Sequence, residues 1–138
     1  MATNLTKDFS FHPIIDSLKR LGKDYEISDN EGFITIMIHT NDGMFQVSKE
    51  RDPLTDYYAI GKMLLYEDLQ IENVDIARLV AVLEEKYIAI KIGYTNDYGL
   101  YMYSSVAVQM LQQYDDFITS SIRLINSVEQ EIVEELRK

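Results

Sequence analysis

The sequence predicts an α+β protein: an antiparallel sheet, built from a three-strand meander and a two-strand hairpin, with helices at both ends of the chain and one between. Short alternating runs bounded by turn residues occupy 24–50 and 87–108, and amphipathic stripes occupy 8–22, 76–86 and 112–138. No Gly/Ser/Pro linker, low-complexity tract or repeat divides the 138 residues. A chain of this length is expected to form one domain over 1–138, which buries roughly two-thirds of its unfolded surface.

In DFSFHPIIDSLKRLG (8–22), Ile14, Ile15, Leu18 and Leu21 make one helical stripe. Ser10 suits the N-cap, Pro13 the first turn and Gly22 the stop. DYEIS (24–28), FITIMIHT (33–40) and MFQVSKE (44–50) then read as a meander turned by Asp29-Asn30-Glu31-Gly32 and Asn41-Asp42-Gly43. Ile34, Ile36 and Ile38 alternate with Thr35, Met37 and His39, which gives one oily face. Arg51-Asp52-Pro53 interrupts the pattern, since proline lacks a ladder donor. DYYAIGKMLLY (56–66) fits either a fourth strand or the start of a helix.

EDLQIENVD (67–75) carries four acids and no base and reads as a solvated connection. Asn73 or Asp75 can cap a second helix with stripe Ile76, Leu79, Val80 and Leu83, ending near Lys86. YIAIKIGYT (87–95) and LYMYSSVAV (100–108) pair as a hairpin across Asn96-Asp97-Tyr98-Gly99. From Gln112 to Lys138 the stripe Phe117, Ile118, Ile122, Ile125, Val128, Ile132 and Leu136 predicts a long helix, with Asp115 and Asp116 near the positive end of its dipole. At ~25 residues it outruns a small domain, so part of the stripe is expected to meet a second subunit.

The formal charge of −10, from 23 acids against 13 bases, disfavours nucleic acid and anionic membranes as partners. Basic or amphipathic protein segments are the compatible class. No cysteine is present, so disulfides and thiolate chemistry are excluded. MATNLTKDFSFHPII lacks a signal-peptide pattern, and no apolar run approaches the roughly 20 residues of a membrane span. The expected location is the cytoplasm.

No phosphate loop, dinucleotide glycine motif or nucleophile elbow occurs. His12 and His39 lie in different elements with no partner spacing, which argues against a hydrolase built on either. No catalytic residue, cofactor or metal site is assigned. Thr-Asn-Asp recurs, in HTNDGMFQV (39–47) and YTNDYGLYMY (94–103), without the alternating acids and distant glutamate of a calcium loop. Both copies read as turns.

The chain has ten tyrosines and no tryptophan. Tyr101 and Tyr103 share one strand face, opposite Leu100 and Met102, with Tyr94 and Tyr98 close in sequence. These four are the candidate protein-binding residues, because tyrosine offers a large contact area with a polar tip. Cross-strand aromatic pairing on a wet sheet face is the competing account of these tyrosines.

The order helix, three-strand meander, helix, two-strand hairpin, long helix resembles the type III secretion chaperone-like fold, and more narrowly the YbjN-type sensory transduction regulator family. IARLVAVLEEKYIAIKIGYT, with the following acidic turn, strand and closing helix, carries the resemblance over about 75–138. The resemblance implies a small, acidic, often dimeric protein that holds or senses another polypeptide, and it supplies no catalytic residues. The expected function is a non-enzymatic protein-binding module, chaperone-like or regulatory, that engages an amphipathic or basic segment. The alternative is an acidic inhibitor or immunity-type protein that neutralises a basic partner enzyme through charge complementarity.

Overall fold

A computed structural model describes residues 11–30, 33–51, 56–69, 75–108 and 111–136. Strands β1 (Asp24–Asn30), β2 (Phe33–Thr40), β3 (Gly43–Arg51), β4 (Asp56–Leu65), β5 (Lys91–Tyr94) and β6 (Gly99–Ala107) form one antiparallel sheet in the order β1-β2-β3-β4-β6-β5. Helices α1 (His12–Arg20), α2 (Tyr66–Leu69), α3 (Ile76–Lys86) and α4 (Tyr114–Leu136) complete the chain. The expected meander and hairpin are therefore present, joined into a single sheet by β4.

The ambiguous run at 56–66 is this joining strand. β4 pairs with β3 on one side and β6 on the other, and residues 58–62 are all buried. β4 is flanked by strands along both edges, and its open-face positions Ala59, Gly61 and Met63 are apolar or small as well, so its sequence shows no alternation and also fitted a helix.

The predicted strand at 87–95 is shorter than expected, and only Lys91–Tyr94 pairs. Tyr87 N–H closes the last helical bond to Leu83, and Ile90 N–H bonds back to the Tyr87 carbonyl. The alternating residues at 87–90 are used to leave α3 and turn onto the sheet edge.

α1 begins at His12 with Pro13 in its first turn; the expected cap at Ser10 lies outside the described residues, as does Asn73. Asp75 caps α3 by accepting the Arg78 N–H at 3.2 Å. Gly22, at φ +67, ends α1 as proposed. Its N–H bonds to the Lys19 carbonyl and the Lys23 N–H to the Leu18 carbonyl, the paired bonds of a Schellman stop that needs a left-handed residue.

The core lies on one sheet face. Ile36, Ile38, Phe45, Val47, Ile60, Leu100 and Met102 point to it and meet Ile14 and Leu18 of α1, Val80 and Leu83 of α3, and Ile118, Ile122, Ile125, Val128 and Ile132 of α4. Each such side chain contributes roughly 2 kcal/mol of burial. Most of the α4 stripe is thus buried within the chain, with Phe117 and Leu136 partly exposed. α4 does not outrun the sheet: its 23 residues span about 35 Å, close to the ~33 Å of the ten-residue β4. Tyr58 meets Tyr114 with ring centroids 6.1 Å apart, and Lys62 meets Glu129 at 2.7 Å, so α4 and β4 run in the same sense.

Lys62 is the one buried charged side chain among the described residues, at 8% exposure. Its Nζ donates to the Asp42 carbonyl at 2.5 Å and to Glu129 Oε2 at 2.7 Å, and lies 5.5 Å from the Phe45 ring centre. All three ammonium protons thereby have an acceptor or a π-face. Gly43 makes this possible: at φ +122, a Cβ there would lie 3.1 Å from both Cε and Nζ of Lys62. Removing one partner of such a pair strands the other charge, whereas replacing both with apolar groups is close to neutral. Glu129→Leu, which leaves the buried ammonium, should lower stability by about 3–5 kcal/mol. Lys62→Met, which leaves the more exposed carboxylate, should cost less, and the double variant less than the sum; chemical denaturation of the four proteins measures all three relations.

Candidate functional site: the uncovered sheet face

The face opposite the core carries β3 residues Met44, Gln46 and Ser48, β4 residues Tyr57, Ala59, Gly61 and Met63, and β6 residues Tyr101, Tyr103 and Ser105, as strand alternation and register require. Met37 and His39 of β2 and Glu26 of β1 extend it toward one edge, and Lys91 of β5 stands at the other. No described helix lies over it. The central row Thr35, Ser48 and Ala59 is buried, while Met44 and Met63 are 47% and 48% exposed. These methionines stand two positions along both strands from the paired Gln46 and Gly61, so they are cross-strand neighbours.

Tyr101 and Tyr103 stack here, with ring centroids 5.9 Å apart and planes 28° from parallel. The Tyr101 ring lies across Gly61: a Cβ at that position would be 2.8 Å from Cε1 and closer still to Cζ and Oη. A strand glycine covered by an aromatic ring on the next strand recovers the packing its missing side chain gives up. Both tyrosines are half-buried; their stack runs along a single strand, and the cross-strand contact is that of the Tyr101 ring with Gly61.

The structure does not gather the four candidate tyrosines. Tyr94 pairs with Leu100, and directly opposed residues share a face. Tyr94 therefore sits on the core side of the sheet, at its edge and 42% exposed. Tyr98 projects from the β5–β6 turn, 61% exposed. Only Tyr101 and Tyr103 belong to the uncovered face. Sequence reading missed Met44 and Met63: alternation with Phe45 and Val47 could have placed Met44, but Met63 sits in the unbroken apolar run of β4.

The two Thr-Asn-Asp segments are turns, and their side chains are used in holding them. Thr40 Oγ1 donates to the Gly43 carbonyl at 2.9 Å and accepts the Asp42 N–H at 3.1 Å. Thr95 Oγ1 accepts from Tyr98 N–H at 3.2 Å and Gly99 N–H at 3.3 Å. Each turn is anchored from outside. Asn126 of α4 donates to the Asp42 carboxylate at 3.1 Å, and Tyr66 Oη donates to the Thr95 carbonyl at 2.6 Å. Burial, with the nearby Tyr94 and Asp97, raises the Tyr66 phenol above its ordinary value.

His39 Nε2 faces Glu26 Oε1 at 3.1 Å on the uncovered face, while His12 opens α1. Among the described residues no three His, Cys, Asp or Glu side chains group as metal ligands. At the α1–α4 contact, Arg20 Nη2 bonds to Asp115 Oδ1 at 2.8 Å; this hydrogen bond holds the Asp115 carboxyl below its usual range and the Arg20 guanidinium above.

The fold and the uncovered face together define an α+β protein with helices packed on one side of an antiparallel sheet. Among solved structures this architecture is shared with the crystal structure of YbjN of E. coli, described as a candidate transcription regulator. The two superpose with a TM-score of 0.56 at 13% sequence identity, over 91% of this chain and 89% of that one. The chain thus has the YbjN fold. No family model and no curated protein matches the sequence.

Tyr101 and Gly61 act as one packing unit, so their substitutions should couple. Gly61→Ala alone should cost about 1–3 kcal/mol, because the ring must leave its place. In a Tyr101→Leu background the same change should cost clearly less; equal costs in urea denaturation would contradict the overlay.

Proposed function

We propose that the protein is a non-enzymatic protein-binding module, chaperone-like or regulatory, whose uncovered sheet face receives an amphipathic segment of a partner. The observation that carries this reading is the pair Met44 and Met63, nearly half exposed beside the stacked Tyr101 and Tyr103. Methionine adapts its shape to varied apolar surfaces, and tyrosine adds area at low entropic cost. Glu26 and Asp24 lie on this face along β1, and the chain carries ten excess negative charges, which favours a partner with basic residues beside its apolar ones. α1 offers no alternative docking stripe, since Ile14 and Leu18 are fully buried.

The description of the YbjN neighbour as a candidate transcription regulator is compatible with a regulatory role exercised through protein contact. Direct binding of DNA runs against the charge. An inhibitor-type role draws on the same acidity, and salt separates the two. A single stoichiometric partner released as salt rises favours the inhibitor, and several loosely held clients favour the chaperone-like role.

The test is recovery of the tagged protein from its native host at low and moderate salt, with mass spectrometry of what accompanies it. Met44→Ser/Met63→Ser should weaken partner recovery at least about tenfold, equivalent to about 1.4 kcal/mol, with little change in Tm. Tyr94→Ser/Tyr98→Ser should leave it unchanged. Full recovery with the methionine variant, or no partner for the wild type, rejects the reading.

A further inference from the structure

A second feature, independent of the sheet face, lies along α4. A groove of about 350 Å³ is lined by Lys23, Thr119, Ile122, Arg123, Asn126, Ser127 and Gln130, a volume at the lower end of small-molecule sites. Thr119, Arg123 and Ser127 are spaced by four residues, as are Ile122, Asn126 and Gln130, so one helix face forms a wall roughly 16 Å long. Lys23 also lines the groove, its backbone fixed by the bond to the Leu18 carbonyl that stops α1.

The charge of this groove is opposite to that of the protein. α4 bears Asp115 and Asp116 at one end and Glu129, Glu131, Glu134 and Glu135 at the other, yet residues 117–128 contain no acid. The positions three and four residues from Arg123 are Thr119, Ser120, Asn126 and Ser127, so the guanidinium has no carboxylate neighbour on its own helix. Neither Arg123 nor Lys23 forms an ion pair among the described residues, whereas Arg20, Lys49, Lys62 and Lys86 each do. The nearest acid known to touch the wall is Asp42, engaged by the Asn126 amide. That bond fixes the amide orientation and leaves Asn126 Oδ1 buried without a partner. Ser127 Oγ donates to the Arg123 carbonyl at 3.0 Å, so the side chains free to donate into the groove are Lys23, Arg123, Thr119 and Gln130.

We propose that this groove binds a small oxyanion, a phosphate or carboxylate group on a metabolite-sized molecule, with Lys23 and Arg123 as its charge partners. Two cations lining one groove, with a hydroxyl and an amide on the same lining, match the charge-assisted hydrogen bonds such groups accept. Ile122 supplies an apolar floor.

The test is a titration of the full chain, followed by amide NMR shifts, with potassium phosphate and potassium citrate against potassium chloride of equal ionic strength. Saturable shifts confined to Lys23 and residues 119–130 should appear with phosphate, citrate or both, which also identifies the oxyanion. Lys23→Gln/Arg123→Gln should weaken the binding at least about tenfold while leaving the remaining spectrum in place. Shifts that chloride reproduces, that do not saturate, or that persist in the double variant overturn the proposal. Arg123→Lys, which keeps the charge and loses the planar fork, should retain part of the binding; retention equal to the Gln variant would remove the assigned charge role.

Discussion

A buried ammonium costs several kcal/mol unless its protons are matched, and Lys62 sits under α4 on the central strand of the sheet. Its partners come from three places: the β2–β3 turn through the Asp42 carbonyl, α4 through Glu129, and the sheet itself through the Phe45 ring. These acceptors are in reach only when turn, strand and helix hold one arrangement. Apolar burial drives α4 onto the sheet but is tolerant of small slips; the Lys62 contacts are directional and are not. Asn126, one helical turn before Glu129, adds its bond to Asp42, so the same turn is gripped twice.

With α4 held on one face, α1 and α3 pack beside it, and the sheet has a covered and an uncovered side. On the side with no described helix the middle row is small and buried, and the Tyr101 ring lies over Gly61. What remains prominent are Met44, Met63 and the tyrosine stack. The acid-free middle of α4 is a separate consequence: the segment that packs against the core avoids carboxylates, and its one cation is left beside Lys23 in the groove.

Most of the fold could be read from periodicity. The meander, the cap at Asp75, the stop at Gly22 and the inward isoleucines of β2 follow from local rules, and each forms as expected. Legibility failed where tertiary context outweighs local pattern. β4 is paired along both edges and is apolar on both faces, so Met63 could not be placed on a face without the register. Tyr87–Ile90 alternates like a strand but serves as the exit from α3. Tyr94 lies near Tyr101 in sequence, yet strand pairing puts it on the opposite face. The groove cations are 100 residues apart in sequence and come to line one groove only through the packing of α1 on α4.

The central claim is that one face of the sheet is covered by helices while the other carries no described helix and exposes Met44 and Met63. Methionine oxidation reads it directly, since Met44 and Met63 stand on the open face and Met102, fully buried, on the covered one. Brief exposure of the folded protein to dilute peroxide, followed by peptide mass spectrometry, should oxidise Met44 and Met63 readily and leave Met102 intact until the protein unfolds. Protection of all three methionines alike would show that the face is already occupied within the protein or its assembly, and would contradict the account.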